Sequence, residues 1–294
     1  MQKRILLPFV LLLLASTLNA QKNKPKASGK SPAPTTLSLS EALAQKRIAL
    51  TITATGGHQG ESITLTCRNL QGQFLRVQIP QGLLMEPADS SMQTLVVAEA
   101  KSLAVNVKNP VEISLKTFCT QAGDRSPSTG TSFALGAMAP EKLCQLLKLL
   151  HENGKTDDAA AQSAVWCVTN EHNLASIGDA AITKLTADLL GQKMPGYRVQ
   201  YESREVPGER ADLGKALIVE SNFKYTLAKD EKLSTLLLDA EGKLVKTLRE
   251  NETAIAGEHR SGLRLQAWNL KPGKYTVRVQ TANKQVIQDI EVEF

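Results

Sequence analysis

Between Glu112 and Trp166 the apolar pattern of this chain changes period, and that change limits what the chain can fold into. Val111, Ile113, Leu115, Thr117 and Cys119 alternate with polar residues, the period-2 signature of a half-buried strand. After a Pro/Ser/Thr/Gly loop, Leu143, Leu146, Leu147 and Leu150 recur at helical spacing between Ala139 and Asn153, and Gly154 supplies a stop. A second helix, capped by Thr156 or Asp157, carries Ala-Ala-Gln-Ser-Ala-Val-Trp and runs to about Thr169. A third covers Ile177 to Leu190, with Ile177, Ala181, Leu185 and Leu189 on one stripe and Gly191 at its end.

On either side of this block the pattern is that of strands. Ile48, Leu50 and Ile52 share a face, as do Ile63, Leu65 and Cys67, then Leu75, Val77 and Ile79, then Leu103, Val105 and Val107. Gly56-Gly57, Gln71-Gly72-Gln73, Pro80-Gln81-Gly82 and Asn109-Pro110 punctuate them as turns. Alternation returns after Ala216 through Leu236 and Leu238, Leu263 and Leu265, Tyr275, Val277 and Val279, and Ile290, Val292 and Phe294. Asp239-Ala240-Glu241-Gly242 and Lys271-Pro272-Gly273-Lys274 have the composition of hairpin turns. The expected fold is mainly β: two antiparallel β-sandwiches, with a small α-helical insert after the first. Residues 37–192 hold the first sandwich and the helical segment, 193–215 a linker or first strand region, and 216–294 the second sandwich.

The start of the chain predicts export. Lys3 and Arg4, the apolar run Ile5 to Leu14 and the Leu18-Asn19-Ala20 site make residues 1–20 a signal peptide. The run is short for a bilayer span, so no integral membrane span is expected after signal removal. Residues 21–36 form a Lys/Pro/Ser linker with too little apolar surface to order itself. The expected location is the periplasm, the cell surface or the extracellular space.

The net charge of +6 belongs to this leader and not to the remainder. Six of the 35 basic residues lie in the first 36 positions, which contain no acidic residue, so 29 basic side chains balance 29 acidic ones in the rest. With no excess of positive charge and only 4% aromatic residues, the folded part offers neither phosphate neutralisation nor base-stacking platforms, and a nucleic-acid partner is not expected. His58, His151, His172 and His259 are scattered, there is no CxxC, and no metal site or cofactor is predicted. No GxSxG, HExxH, phosphate loop or GxGxxG is present, so conventional catalysis is not expected.

Four cysteines in an exported chain leave three states open. Cys67 with Cys119 and Cys144 with Cys167 are disulfide candidates, the first pair because parity places both on a buried face, the second because both lie equally far from a helical turn. All four can instead remain reduced and pack as small apolar side chains. The third state is a thioester from Cys119 to Gln162.

That last state follows from a resemblance. Phe118-Cys119 followed by Gln162-Ser163-Ala164-Val165-Trp166 is similar to the thioester domains of bacterial surface adhesins, in which a cysteine condenses with the glutamine of a T-Q-x-A-[IV]-W helix; here Ala161 replaces the threonine. The resemblance implies that Cys119 supplies the thiol, Gln162 the acyl group, and an amine on the partner the nucleophile. Separately, LSTLLLDAEGKLVKTL followed by NLKPGKYTVRVQT resembles the FlgD-type immunoglobulin-like module and the related sorting domains of type IX secretion cargo. This implies an Ig-like fold for the C-terminal sandwich, although the chain ends on the acidic Asp289-Ile290-Glu291-Val292-Glu293-Phe294 instead of a basic strand. The expectation is an exported, non-enzymatic binding or adhesive protein with a protein or glycan surface ligand. Covalent attachment and type IX secretion are its alternatives.

Overall fold

The computed structural model describes residues 35–57, 59–202, 208–210 and 214–294. The predicted signal peptide, most of the predicted linker and His58 lie outside them. Thr35 and Thr36, assigned by composition to the linker, instead open β1 (Thr35–Ser38), which leads into α1 (Leu39–Ala44). Ser38 starts that helix: its hydroxyl accepts the Glu41 N–H while the Glu41 carboxylate accepts the Ser38 N–H. Leu39 and Ala42 then turn inward.

Two sheets follow. β2 (Ile48–Ala54), β3 (Gln59–Asn69), β5 (Leu83–Pro87), β6 (Leu95–Val97), β8 (Val111–Cys119) and β9 (Phe133–Met138) form a six-stranded sheet in the order 2-3-8-6-5-9. β4 (Leu75–Ile79) and β7 (Lys101–Val105) join β1 in a three-stranded sheet in the order 1-4-7. The pairing is antiparallel except between β1 and β4, which run parallel. Alternation puts Ile52, Leu65 and Leu115 of the larger sheet in one buried cluster with Leu75, Val77 and Val105 of the smaller. A buried side chain of this size contributes about 1.5–3 kcal/mol, so this shared face is the main source of stability here.

The opposite face of the larger sheet carries the helices α2 (Glu141–Glu152), α3 (Ala160–Thr169) and α4 (Ala180–Leu190). Val96 and Phe118 of the sheet pack there with Leu146, Leu147, Val165 and Ile182. The α2 stripe is the expected one, with Leu143, Leu146, Leu147 and Leu150 all buried. The α4 stripe is not: its buried face is Ile182, Thr183, Thr186 and Ala187, and Ala181 is exposed. Thr186 is tolerated inside because its hydroxyl donates to the Ile182 carbonyl at 2.8 Å. Gly191, at φ 66°, ends α4 as its composition requires.

Beyond the helices, β10 (Tyr197–Tyr201), β11 (Ala216–Leu227) and β14 (Gly257–Gln266) form one sheet in the order 10-11-14. β12 (Glu231–Leu238), β13 (Leu244–Ala254), β15 (Lys274–Thr281) and β16 (Val286–Glu293) form another in the order 13-12-15-16. Val219 and Leu265 from the first share a buried cluster with Leu237, Val277 and Val292 from the second. Leu233 and Leu237, not Leu236, face inward, in unbroken alternation against β15, and Leu238 at the end of the strand is buried as well. Asp239 closes the β12–β13 hairpin as expected, accepting the Lys243 N–H at 2.8 Å. Lys271–Lys274 is not a hairpin turn: it joins β14 to β15, which belong to different sheets. There the Tyr275 hydroxyl reaches back to the Lys271 carbonyl at 2.8 Å. The architecture is mainly β, and no described helix is long and apolar enough to cross a membrane.

Candidate functional site

The site is built around the end of β8. The Thr120 N–H donates to the Thr94 carbonyl and the Ala98 N–H to the Lys116 carbonyl, so even-numbered residues of β8 bond towards β6. Alternation therefore turns the N–H and C=O of Cys119 the other way, past the pairing of Gln59 with Phe118 that ends the described β3–β8 ladder. A buried peptide needs partners there. Gln162 supplies both: its Oε1 accepts the Cys119 N–H at 2.9 Å and its Nε2 donates to the Cys119 carbonyl at 2.8 Å. One side-chain amide thus takes the place of a strand neighbour. The same contact holds the carboxamide carbon beside the residue that bears the thiol.

Helix α3 is fixed over this strand end from both sides. Its N-cap position is Ala159, with no side-chain cap, and not Thr156 or Asp157 as the sequence suggested; just before it the Asp158 carboxylate accepts the Ala160 N–H at 3.0 Å. Asp157 instead pairs with Lys116 of β8 at 2.6 Å, and this bond raises the Lys116 pKa. At the other end Asn170 accepts the Ala122 N–H at 3.1 Å, tying the helix to the loop that follows Cys119. Ala161 and Ala164 have no exposed surface, and their small side chains let the helix lie close to the sheet. One turn after Gln162, Trp166 leaves the helix cluster and joins Cys119, Ala122 and Phe133 in the other core. Its ring is tilted 58° against that of His172, with centroids 6.0 Å apart.

Burial dominates the electrostatics. Cys119 has no exposed surface and Gln162 is 2% exposed. Loss of water pushes the Cys119 thiol well above its ordinary range and lowers the His172 imidazole below its own, so both are neutral near pH 7. Such a thiol is no ready thiolate nucleophile for turnover with soluble substrates. It is a shielded group on a residue whose peptide is held by one carboxamide.

No protein-family model matches this chain, and no curated protein sequence does. The site therefore stands on its own geometry. Of the residues singled out from sequence, the structure brings Cys119, Gln162 and Trp166 together. Asn170 and Lys116, which hold the helix in place, have no local sequence signal, because their partners lie on other elements.

The disulfide candidates are not bridged: Cys67, Cys119, Cys144 and Cys167 are all free thiols. Cys67 lies on β3 opposite Val111, and Cys119 is eight residues further along β8, about 27 Å away at strand rise. Both cysteines face the buried side, as their parity predicts, but the strand register separates them. Cys144 donates to the Ala139 carbonyl at 3.3 Å, whereas Cys167 contacts the Asn173 carbonyl at 3.7 Å. Burial pushes Cys67 up to about 11 and Cys167 to about 12. Among the described residues, no three His, Cys, Asp or Glu side chains converge as a metal site.

Proposed function

We propose that this is an exported, non-enzymatic adhesive protein that attaches covalently to amines on a protein or glycan surface through a thioester between Cys119 and Gln162. The observation that carries the reading is the pair of hydrogen bonds from one Gln162 amide to the peptide of Cys119. In the formation step the Cys119 sulfur bonds to the Gln162 carboxamide carbon, the C–N bond breaks, and nitrogen leaves as ammonia with the thiol proton. No oxidant is consumed. In the capture step an amine attacks the acyl carbon, an amide forms, and the thiol regains a proton. Each molecule acts once. Trp166, only 6% exposed, shields the bond from water until a partner arrives.

The scaffold in this reading is two β-sandwiches with a helical insert, the second of them Ig-like. Its support is the 10-11-14 and 13-12-15-16 strand grouping, together with the Tyr275 hydroxyl bonded back to Lys271 at the start of β15. A tyrosine bonded back to the backbone a few residues upstream is also a feature of Ig-like sandwiches.

The test is the intact mass of mature protein taken from its native compartment. A thioester leaves the chain lighter by one ammonia, and methylamine adds its full mass in one step. Cys119→Ala and Gln162→Ala remove both signatures. A wild-type chain of full mass, inert to methylamine, would overturn covalent attachment and leave Gln162 as a strand cap alone.

A further inference from the structure

The end of the first pair of sheets opposite Cys119 combines exposed apolar side chains with predominantly positive charge. The β3–β4 turn and the β7–β8 turn meet there, since Asn69 donates to the carbonyls of both Gln73 and Val105. The C-terminal end of α1 joins them: the Leu70 N–H donates to the Arg47 carbonyl, and the Arg47 guanidinium reaches Gln73 at 3.3 Å. From these three segments Leu43, Leu70, Phe74 and Val107 project at 38%, 49%, 45% and 50% exposure. A packed β end has no folding reason to expose four large apolar side chains together.

Charge at the same end is predominantly positive. Residues 43–50, 66–76 and 104–111 contain Lys46, Arg47, Arg68, Arg76 and Lys108 and no carboxylate. The nearest acidic groups are Glu41, engaged with Ser38, and Glu112, exposed one residue inside β8. Thr35 pairs with Leu75, next to Phe74, so β1 begins at this same end.

We propose that this end is a docking surface for a bilayer rich in anionic phospholipid. Leu43, Leu70, Phe74 and Val107 enter the headgroup boundary, and the surrounding lysines and arginines pair with lipid phosphates. Apolar prongs within a cationic ring match a surface whose charge lies outside an apolar interior. A soluble polyanion would engage the charges and leave the prongs in water. Docked this way, the Cys119 end of β8 is held about 27 Å from the lipid contact, facing away from it. The proposal stands whether or not the thioester forms.

Sedimentation of the mature chain from Gln21 with vesicles tests it. Binding is expected to mixed phosphatidylglycerol–phosphatidylcholine vesicles, and at least about tenfold weaker binding to phosphatidylcholine alone. The Leu70→Asp/Phe74→Asp form is expected to lose about tenfold on the mixed vesicles, and so is the Arg68→Glu/Lys108→Glu form. All four side chains are exposed, so each variant should keep wild-type thermal unfolding. Cys119→Ala should bind as wild type. Absence of vesicle binding would overturn the proposal. So would an aspartate form that binds unchanged, because the linker lysines alone would then account for the attraction.

Discussion

Gln162 is a helical residue whose side chain does the work of a strand, and the protein's four cysteines differ chiefly in how much water each has lost. Folded, Cys67 keeps its proton to about pH 11 and Cys167 to about pH 12, while an unfolded cysteine releases it near 9.0. Their folded pKa values are raised, so the contribution of these thiols is intact below pH 9.0 and is lost as pH climbs towards 11 and 12. Urea denaturation should therefore show the protein less stable at about pH 10 than at about pH 8, by roughly 2 kcal/mol from these two groups. Cys67→Ala should flatten that slope. A thiol count in denaturant separates the two states of Cys119: four reactive thiols without a thioester, and one fewer while the thioester survives.

Among the elements, α2 and the larger sheet meet where only a glycine fits. Gly82, between β4 and β5, has φ 83°, and a Cβ added there would lie 2.7 Å from the Cys144 sulfur. Gly82→Ala should cost about 1–3 kcal/mol in urea denaturation, from backbone strain and the contact together. Adding Cys144→Ala should recover only the contact share, which a double-mutant cycle reads directly. The elements differ in how plainly the sequence announces them. Helix α2 declares itself through four leucines on one stripe. Helix α4 hides its buried face, because Thr183 and Thr186 are polar by composition and satisfied only by backbone carbonyls. Strand β9 carries the mixed burial of a sheet edge and looks like loop, and β1 is too short to show a period.

For the molecule as a whole, the join between the helical segment and the C-terminal sheets rests on a small polar cluster. Asn173 donates to the Tyr197 hydroxyl at 3.0 Å and to the Glu293 carbonyl at 3.3 Å, and the Glu293 N–H donates to the same hydroxyl at 2.9 Å. Tyr197→Phe leaves the ring in place and removes the shared oxygen. It should lower stability by about 1–2 kcal/mol in calorimetry while leaving the Cys119–Gln162 contact and the protein mass signature unchanged. A second tie joins the loop after Cys119 to residues 208–210: the Arg125 guanidinium donates to the Gly208 carbonyl at 2.8 Å, and the Ser126 N–H to the Glu209 carbonyl at 2.8 Å.

The sequence by itself determined what depends on neighbours along the chain. Alternation set the β class and the buried faces of Cys67 and Cys119, leucine spacing set α2, and Gly154 and Gly191 set two helix ends. These survive because period and backbone conformation are local properties. Tertiary structure alone decided which strands are neighbours, and so placed Cys67 and Cys119 at opposite ends of one ladder instead of within bonding distance. It also decided that the open peptide of Cys119 would find its partner on a helix 43 positions away. A hydrogen-bonding vacancy at a strand end is created by where the adjacent strand stops, and no spacing along a single segment records that.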